Sequence, residues 1–362
     1  MLGILRFILA LLVLISHIPG LGMPLNPGVS AVILFYFISG YLMGRSYRRF
    51  QQHSKRPVRD FYIDRLLKLM PQYSVVVLLT FLLIHFFGPA QHTLFLNQTV
   101  EPLKILLNLA LLPANYVFEP LSIEALLPHP IVPPAWSLAS EFHFYLLLPL
   151  LLLLGRWGFA LVFAGAAAIQ IAALFHGTGA FNSDNFGYRF IFGVLVFFLA
   201  GMAYGRRDEA FYRRSVQAYL ATYLSMLLVV SPSLGLYALP RVQELLLGAV
   251  IAVPLLNAAL RGKGYGWISG LDDLLGRLAY PIFISHFLVF FCCEKLLGLK
   301  LSQNPTIYVL TSILGSIAVS LLLIRLQARV ERYRVGRRGF GSMTMQKPLP
   351  EASKLLPSHE LR

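Results

Sequence analysis

The sequence predicts an all-α polytopic membrane protein with about ten transmembrane helices and both termini in the cytoplasm. Three observations carry this. Of 362 residues, 57% are hydrophobic and only 13% charged, where a soluble domain carries roughly 25% charged residues. Apolar runs close to the ~20 residues that cross a hydrocarbon core recur along most of the chain. The Lys and Arg residues fall in the gaps between those runs, where the orientation of a membrane protein is encoded. The net charge of +15 therefore reads as a topology signal rather than as a nucleic-acid footprint.

The first run, 2–18, is expected to be a retained span. It lacks a small-residue cleavage pattern, and its basic residue, Arg6, lies inside the apolar stretch. Further spans are expected at about 27–44, 70–88, 136–154, 158–176, 189–205, 217–231, 241–260, 277–297 and 305–328. A shorter run, 103–117, ends its apolar character near Pro113. If it does not cross, all of the 31 Lys and Arg residues except Lys104, Arg189, Arg241, Lys295 and Lys300 lie on one side or on its threshold. If it crosses, that bias largely collapses. The positive-inside rule thus places 103–117 in the interface or as a re-entrant segment. Residues 1–338 form the expected transmembrane domain. Residues 339–362, rich in Gly, Ser, Pro, Lys and Glu, are expected to be a disordered cytoplasmic tail. Cys292 and Cys293 are adjacent in an apolar run. Neighbours on one helix diverge, so they form neither a disulfide nor a metal site, and no metal is expected.

An ionisable residue inside a span is costly and marks a functional position by default. Arg6 and His17 are eleven positions apart, about three helical turns, so they share a face at about 16 Å separation. Arg6 would sit low and His17 high. The plain alternative is a snorkelling anchor and an interfacial imidazole. Glu141 lies in PPAWSLASEFHFYLLLPLLL, at an expected depth similar to His17. A His–carboxylate pair would relieve the burial cost of both groups and is the basic unit of general-base catalysis; the alternative is a pair that only locks two helices together. His143, two residues on, faces elsewhere and reads as structural. Trp136 is an interface anchor, and Arg189 sits at the outer mouth of its helix; both are candidate substrate-binding residues. Glu244 and His286 complete the set. The segment RSYRRFQQHSKRPVRDFYIDRLLKLM is largely explained by topology and anionic lipid. Within it, Arg65 and Lys68 are three apart on one helix face, an arrangement suited to a polyanion such as a nucleotide phosphate.

Four blocks resemble the membrane acyltransferase-3 family, bacterial enzymes that acylate carbohydrates and related molecules. They are Arg6 with His17 in LRFILALLVLISH, FYFISGY at 35–41, FYIDRLLKLMPQY at 61–73 and WSLASEFHFYLLLP at 136–149. A weaker fifth is AYPIFISHFLV at 279–289. Together they span about residues 1–330. Lys68 stands where the family has a second Arg, which keeps the charge and loses the planar fork. The resemblance implies ten helices, an acyl-CoA donor reached from the cytoplasm and an acceptor hydroxyl reached from the outer side. It also implies His17 as catalytic base, Glu141 as its partner and Arg6 as a donor-side residue.

The resulting expectation is an O-acyltransferase of the bacterial inner membrane. Acyl-CoA, with acetyl-CoA as the expected co-substrate, would rest its phosphates on Arg65 and Lys68. Its pantetheine arm would rise past Arg6, and the acyl group would pass to a hydroxyl of a cell-surface polysaccharide or glycolipid. No permanently bound cofactor is expected. The competing reading is a transporter or flippase for a lipid-linked glycan, using the same charges as a path; the absence of an evident internal repeat weighs against it.

Overall fold

The structure, a computed structural model, describes residues 1–18, 23–90, 96, 98, 100–117, 121–177, 179–262 and 267–337. The expected tail, 339–362, lies outside the described residues. Among those described, every regular element is a helix. In chain order these are α1 (Leu2–Ser16), α2 (Pro27–His53), α3 (Pro57–Phe87), the short α4 (Pro102–Ala110), α5 (Ala135–Leu153), α6 (Arg156–Leu174), α7 (Ile191–Tyr204), α8 (Ala210–Ser225), the single turn α9 (Ser231–Ser233), α10 (Val242–Arg261), α11 (Trp267–Lys295) and α12 (Pro305–Arg337). A π-turn over Met226–Val230 joins α8 to α9, giving one apolar rod, Ala210–Ser233.

Eight of the ten expected runs form helices long and apolar enough to cross a membrane. The other two, α1 and α7, are shorter apolar helices of 15 and 14 residues, about 21–23 Å long. The 103–117 run does not form a crossing helix. α4 has nine residues, about 14 Å, less than half a hydrocarbon core. It is followed by a 3₁₀ turn over Leu112–Asn115. Lys104, buried within this segment, donates to Gln98 Oε1 at 2.5 Å and to the Leu127 carbonyl at 2.7 Å. The expected loop 45–68 is mostly helix. α2 runs on to His53 and α3 begins at Pro57, a residue suited to a first helical position because it has no N–H to satisfy.

Between apolar helices in lipid, close approach of backbones supplies the packing that hydrophobicity cannot. α1 packs most extensively on α11, and α2 on α7. At the second crossing a Cβ added to Gly40 would lie 1.9 Å from the Phe198 carbonyl oxygen, and one added to Gly201 would lie 1.9 Å from that of Phe37. The glycine of the FYFISGY block is therefore a contact point between helices. The contact also aims its neighbour Ser39 away from α7, towards α5.

A proline inside α3 has a partner built for it. Pro71 has no N–H to give the Leu67 carbonyl four residues back, which orphans an acceptor. Gln327 of α12 donates to that carbonyl at 2.8 Å. The α3–α12 contact thus fixes the stretch that carries Arg65 and Lys68.

The charges gather at the two ends of the bundle. At one end the Met1 ammonium donates to the Ala259 carbonyl at 2.9 Å, and Asp272 accepts from Ile4 N–H at 2.8 Å. Asp272 thereby caps the free N–H groups of the first turn of α1. Asp64, Arg334 and Glu331 join at the end of α12. At the other end lie His17, Asn26, Asp184, Arg189, Arg241 and Glu244, linked through Asn26 N–H to Glu244 at 3.1 Å and through Arg241 to Asp184 at 3.8 Å.

Two measurements test this packing and the expected sidedness. Gly40→Ala should lower the melting temperature in detergent by several degrees, as overpacking of 1–3 kcal/mol does. Gly165→Ala, where a Cβ meets nothing within 4 Å, should leave it unchanged. In a background with Cys292 and Cys293 changed to Ser, Ala238→Cys, at an exposed site, should react with an impermeant thiol reagent from the outside, and Gln52→Cys only after lysis. Ser183, also in an expected outer segment, is fully buried and bonded to Pro240, so it cannot report topology.

Candidate active site

Five helices, α1, α2, α3, α5 and α11, enclose a cavity of about 110 Å³, room for several water-sized groups. Its polar wall is made by Arg6, Ser39, Arg65, Lys68, Glu141 and Tyr145, with Tyr36, Ser137 and Tyr280 beside them. Phe35, Ile38, Leu42, Leu138 and Phe283 supply much of the apolar wall. The two cations expected to share one face of α3 do share it, and both open onto the same space as Arg6.

Arg65 is not an isolated charge. Its Nε donates to Asp64 Oδ2 at 3.0 Å, and its Nη2 bonds the same oxygen. The other oxygen of Asp64 accepts from Arg334 Nη1 at 2.8 Å, and Arg334 Nε donates to Glu331 at 2.8 Å. Asp64 and Arg65 are almost wholly buried. A buried charge with all its partners in place avoids the penalty of an uncompensated one, and the chain Arg65–Asp64–Arg334–Glu331 is neutral as a unit. Sequence reasoning missed Asp64 and Arg334. Asp64 sits beside Arg65 in the sequence, and the long Arg65 side chain folds back to reach it.

The expected pairing of Glu141 with His17 is not what the fold makes. Glu141 accepts from Ser39 Oγ at 2.5 Å and from the Tyr145 hydroxyl, and the first opposite charge facing Arg6 is Glu141. The reason is depth. His17 ends α1, and the charges facing it are Arg189 and Arg241 at the same end of the bundle. Arg189 stacks on Trp136, and Glu141 lies five residues beyond Trp136 along α5, about 7.5 Å deeper. The carboxylate therefore meets Ser39 from α2 and shares the cavity wall with Arg6 from α1, and His17 remains above.

The orienting role expected of Glu141 falls to the backbone. His17 Nδ1 lies 2.8 Å from the Val13 carbonyl oxygen of its own helix. A carbonyl only accepts, so Nδ1 carries the hydrogen and the neutral ring keeps its lone pair on Nε2. That is the tautomer of a general base. His17 stacks on His286 of α11, with ring centroids 5.2 Å apart and planes 29° apart, and meets Phe287 at 5.0 Å.

The two residues proposed at the outer mouth are brought together. The Arg189 guanidinium lies 5.2 Å from the Trp136 ring centroid and 5.4 Å from that of Tyr188, and Asp184 accepts from its Nε and Nη2 at 3.1 Å. Asn115 supports the corner, donating to the Trp136 and Arg189 carbonyls at 3.1 and 2.9 Å. His143 bonds Tyr116 at 3.0 Å, tying α5 to the segment after α4 as a structural residue would. Cys292 and Cys293 are both free. Among the described residues, no three His, Cys, Asp or Glu side chains gather as a metal site would require.

A polytopic helical bundle that encloses charged and hydroxyl groups in its core, with a base-ready histidine above them, is built for chemistry or passage across the bilayer rather than for scaffolding. Residues 2–325 match the acyltransferase domain of the acyltransferase-3 family, and the chain belongs to that family: it is a multi-pass membrane acyltransferase. It is also 32% identical over 213 residues to an uncharacterised protein of Aquifex aeolicus (strain VF5), a match covering 56% of this chain and 89% of that protein. No solved structure matches it.

Double-mutant cycles on thermal stability separate the two clusters. Ser39→Ala and Glu141→Gln should couple by about 0.5–3 kcal/mol, as hydrogen-bonded groups do, whereas His17→Ala and Glu141→Gln should add within about 0.5 kcal/mol.

Proposed function

We propose that the protein is an O-acyltransferase that moves an acyl group, acetyl by preference, from cytoplasmic acyl-CoA to a hydroxyl of a carbohydrate at the outer face of a bacterial inner membrane. The observation that carries the reading is the placement of Arg65, Lys68 and Arg6 on one cavity. The basic inner end suits the phosphates of a nucleotide-bearing donor. The mixed polar and apolar lining suits a pantetheine arm with amides and methylenes. At the opposite end Trp136, Tyr188 and Arg189 combine aromatic surface with directed donors, the pairing of features that suits a sugar.

In the reaction, His17 Nε2 accepts the proton of the acceptor hydroxyl as its oxygen attacks the thioester carbonyl. The C–O bond forms, the tetrahedral centre collapses, and the C–S bond breaks. The departing thiolate takes the proton back from the His17 imidazolium, releasing CoA thiol and the acylated acceptor. Val13 holds the ring in the required tautomer. Glu141, held by Ser39 and Tyr145, places a negative charge on the same cavity wall as Arg6. Arg65 and Lys68 contact groups that do not react, so they serve binding.

With radiolabelled acetyl-CoA and a glycan acceptor in vesicles, His17→Ala should reduce acetyl transfer by on the order of 10²–10⁴ while the protein stays in the membrane fraction. Arg65→Gln with Lys68→Gln should raise the KM for acetyl-CoA more than it lowers kcat, since phosphate contacts are shared by ground and transition states. Movement of an intact glycan with no loss of acetyl-CoA would replace this reading with that of a transporter.

A further inference from the structure

On α11, residues 279, 283, 286 and 290 recur at the three- and four-residue steps that mark one helix face. Ala279 and Phe283 line the cavity. His286 lies three residues further along, about 4.5 Å higher, and its ring is 6.4 Å from Phe283 on one side and 5.2 Å from His17 on the other. A group extending beyond the cavity wall at Phe283 towards His17 would reach His286 first.

His286 is wholly buried. Its Nδ1 is 3.3 Å from the Ile282 carbonyl oxygen, so the hydrogen is on Nδ1 and the lone pair on Nε2. Among the described residues, Nε2 has no hydrogen-bond partner. Its ring neighbours besides His17 are Phe283, Phe287 and Phe290, which have no N–H or O–H to give. A buried acceptor left without a donor is costly, and a fold that retains one calls for a ligand to complete it.

Building on the acyltransferase reading, we infer that His286 is a donor-binding residue whose Nε2 accepts a hydrogen bond from the pantetheine amide N–H nearest the thioester. Four bonds separate that amide nitrogen from the thioester carbon, about 5 Å when extended. The two imidazole rings are 5.2 Å apart. Seating the amide at His286 therefore delivers the reacting carbon to His17, and the phenylalanine box around His286 accommodates the methylenes between them. The arm is held at both ends, by cations at its phosphates and by one acceptor beside its sulfur.

The test compares acetyl-CoA with an analogue in which that amide N–H is replaced by an ester oxygen, using the full-length protein in vesicles. The wild type should transfer acetyl from the analogue with kcat/KM lower by on the order of ten-fold. His286→Phe, which keeps an aromatic ring against His17, should lose a similar factor with acetyl-CoA and treat the two donors alike. Equal use of both donors by the wild type overturns the inference, as does a variant that keeps the preference. Should the variant fail to accumulate in the membrane, the wild-type comparison decides by itself. A wild type that transfers acetyl from neither donor sinks the acyltransferase reading instead, a result distinct from either of those.

Discussion

Arg6 carries its charge into the centre of the bundle, and Glu141 is what faces it there. A lone cation at that depth would be expensive, and a lone carboxylate would tend to take up a proton. The two opposite charges share one cavity wall, and Ser39 and Tyr145 donate to the carboxylate. The arrangement needs α1, α2 and α5 to meet at one level. The close α2–α7 crossing at Gly40 and Gly201 keeps α2 in place for this. At the foot of α1, Asp272 and the Met1 ammonium fix the helix against α11 and the end of α10. Polar function in the core thus depends on glycine contacts and helix caps well away from it.

The same accounting governs the inner end. Arg65 opens onto the cavity while Asp64 holds its guanidinium, and Arg334 comes from the far end of the chain to satisfy the second oxygen of Asp64. The result is a cation that is oriented and available on one edge yet compensated on the other. Gln327, two turns back on the same face of α12, closes the gap that Pro71 leaves in α3. α12 therefore acts as a splint for the donor-side stretch of α3, and changes in the last helix should be felt at the phosphate end of the site.

Separating the carboxylate from His17 divides the proposed chemistry into two zones. The lower zone is ionic and suits the binding of a long anionic donor. The upper zone holds two imidazoles oriented by their own helices, flanked by aromatic rings. A ring oriented by a backbone carbonyl needs no carboxylate to set its tautomer.

The sequence by itself determined the class of fold, the helix-forming runs and the family, because apolar length, gap charges and short motifs are local properties. The ionisable residues Arg6, His17, Glu141, Arg65 and Lys68 were legible in the same way, since they stand out in apolar surroundings, whereas the hydroxyl groups of Ser39, Tyr36, Tyr145 and Tyr280 on the cavity wall were not. The non-crossing of 103–117 also followed from charge and was met by a nine-residue α4. Which of these residues meet was not legible. Spacing along one helix fixes a face and a rise, but the relative depth of two helices depends on where each is clamped. Only the tertiary structure decided that Glu141 faces Arg6 rather than His17, that Ser39 and Tyr145 complete it, and that His286 stacks on His17 from 269 residues away. Those contacts are set by glycine crossings and end caps that act between helices, and no window of sequence contains both sides of them.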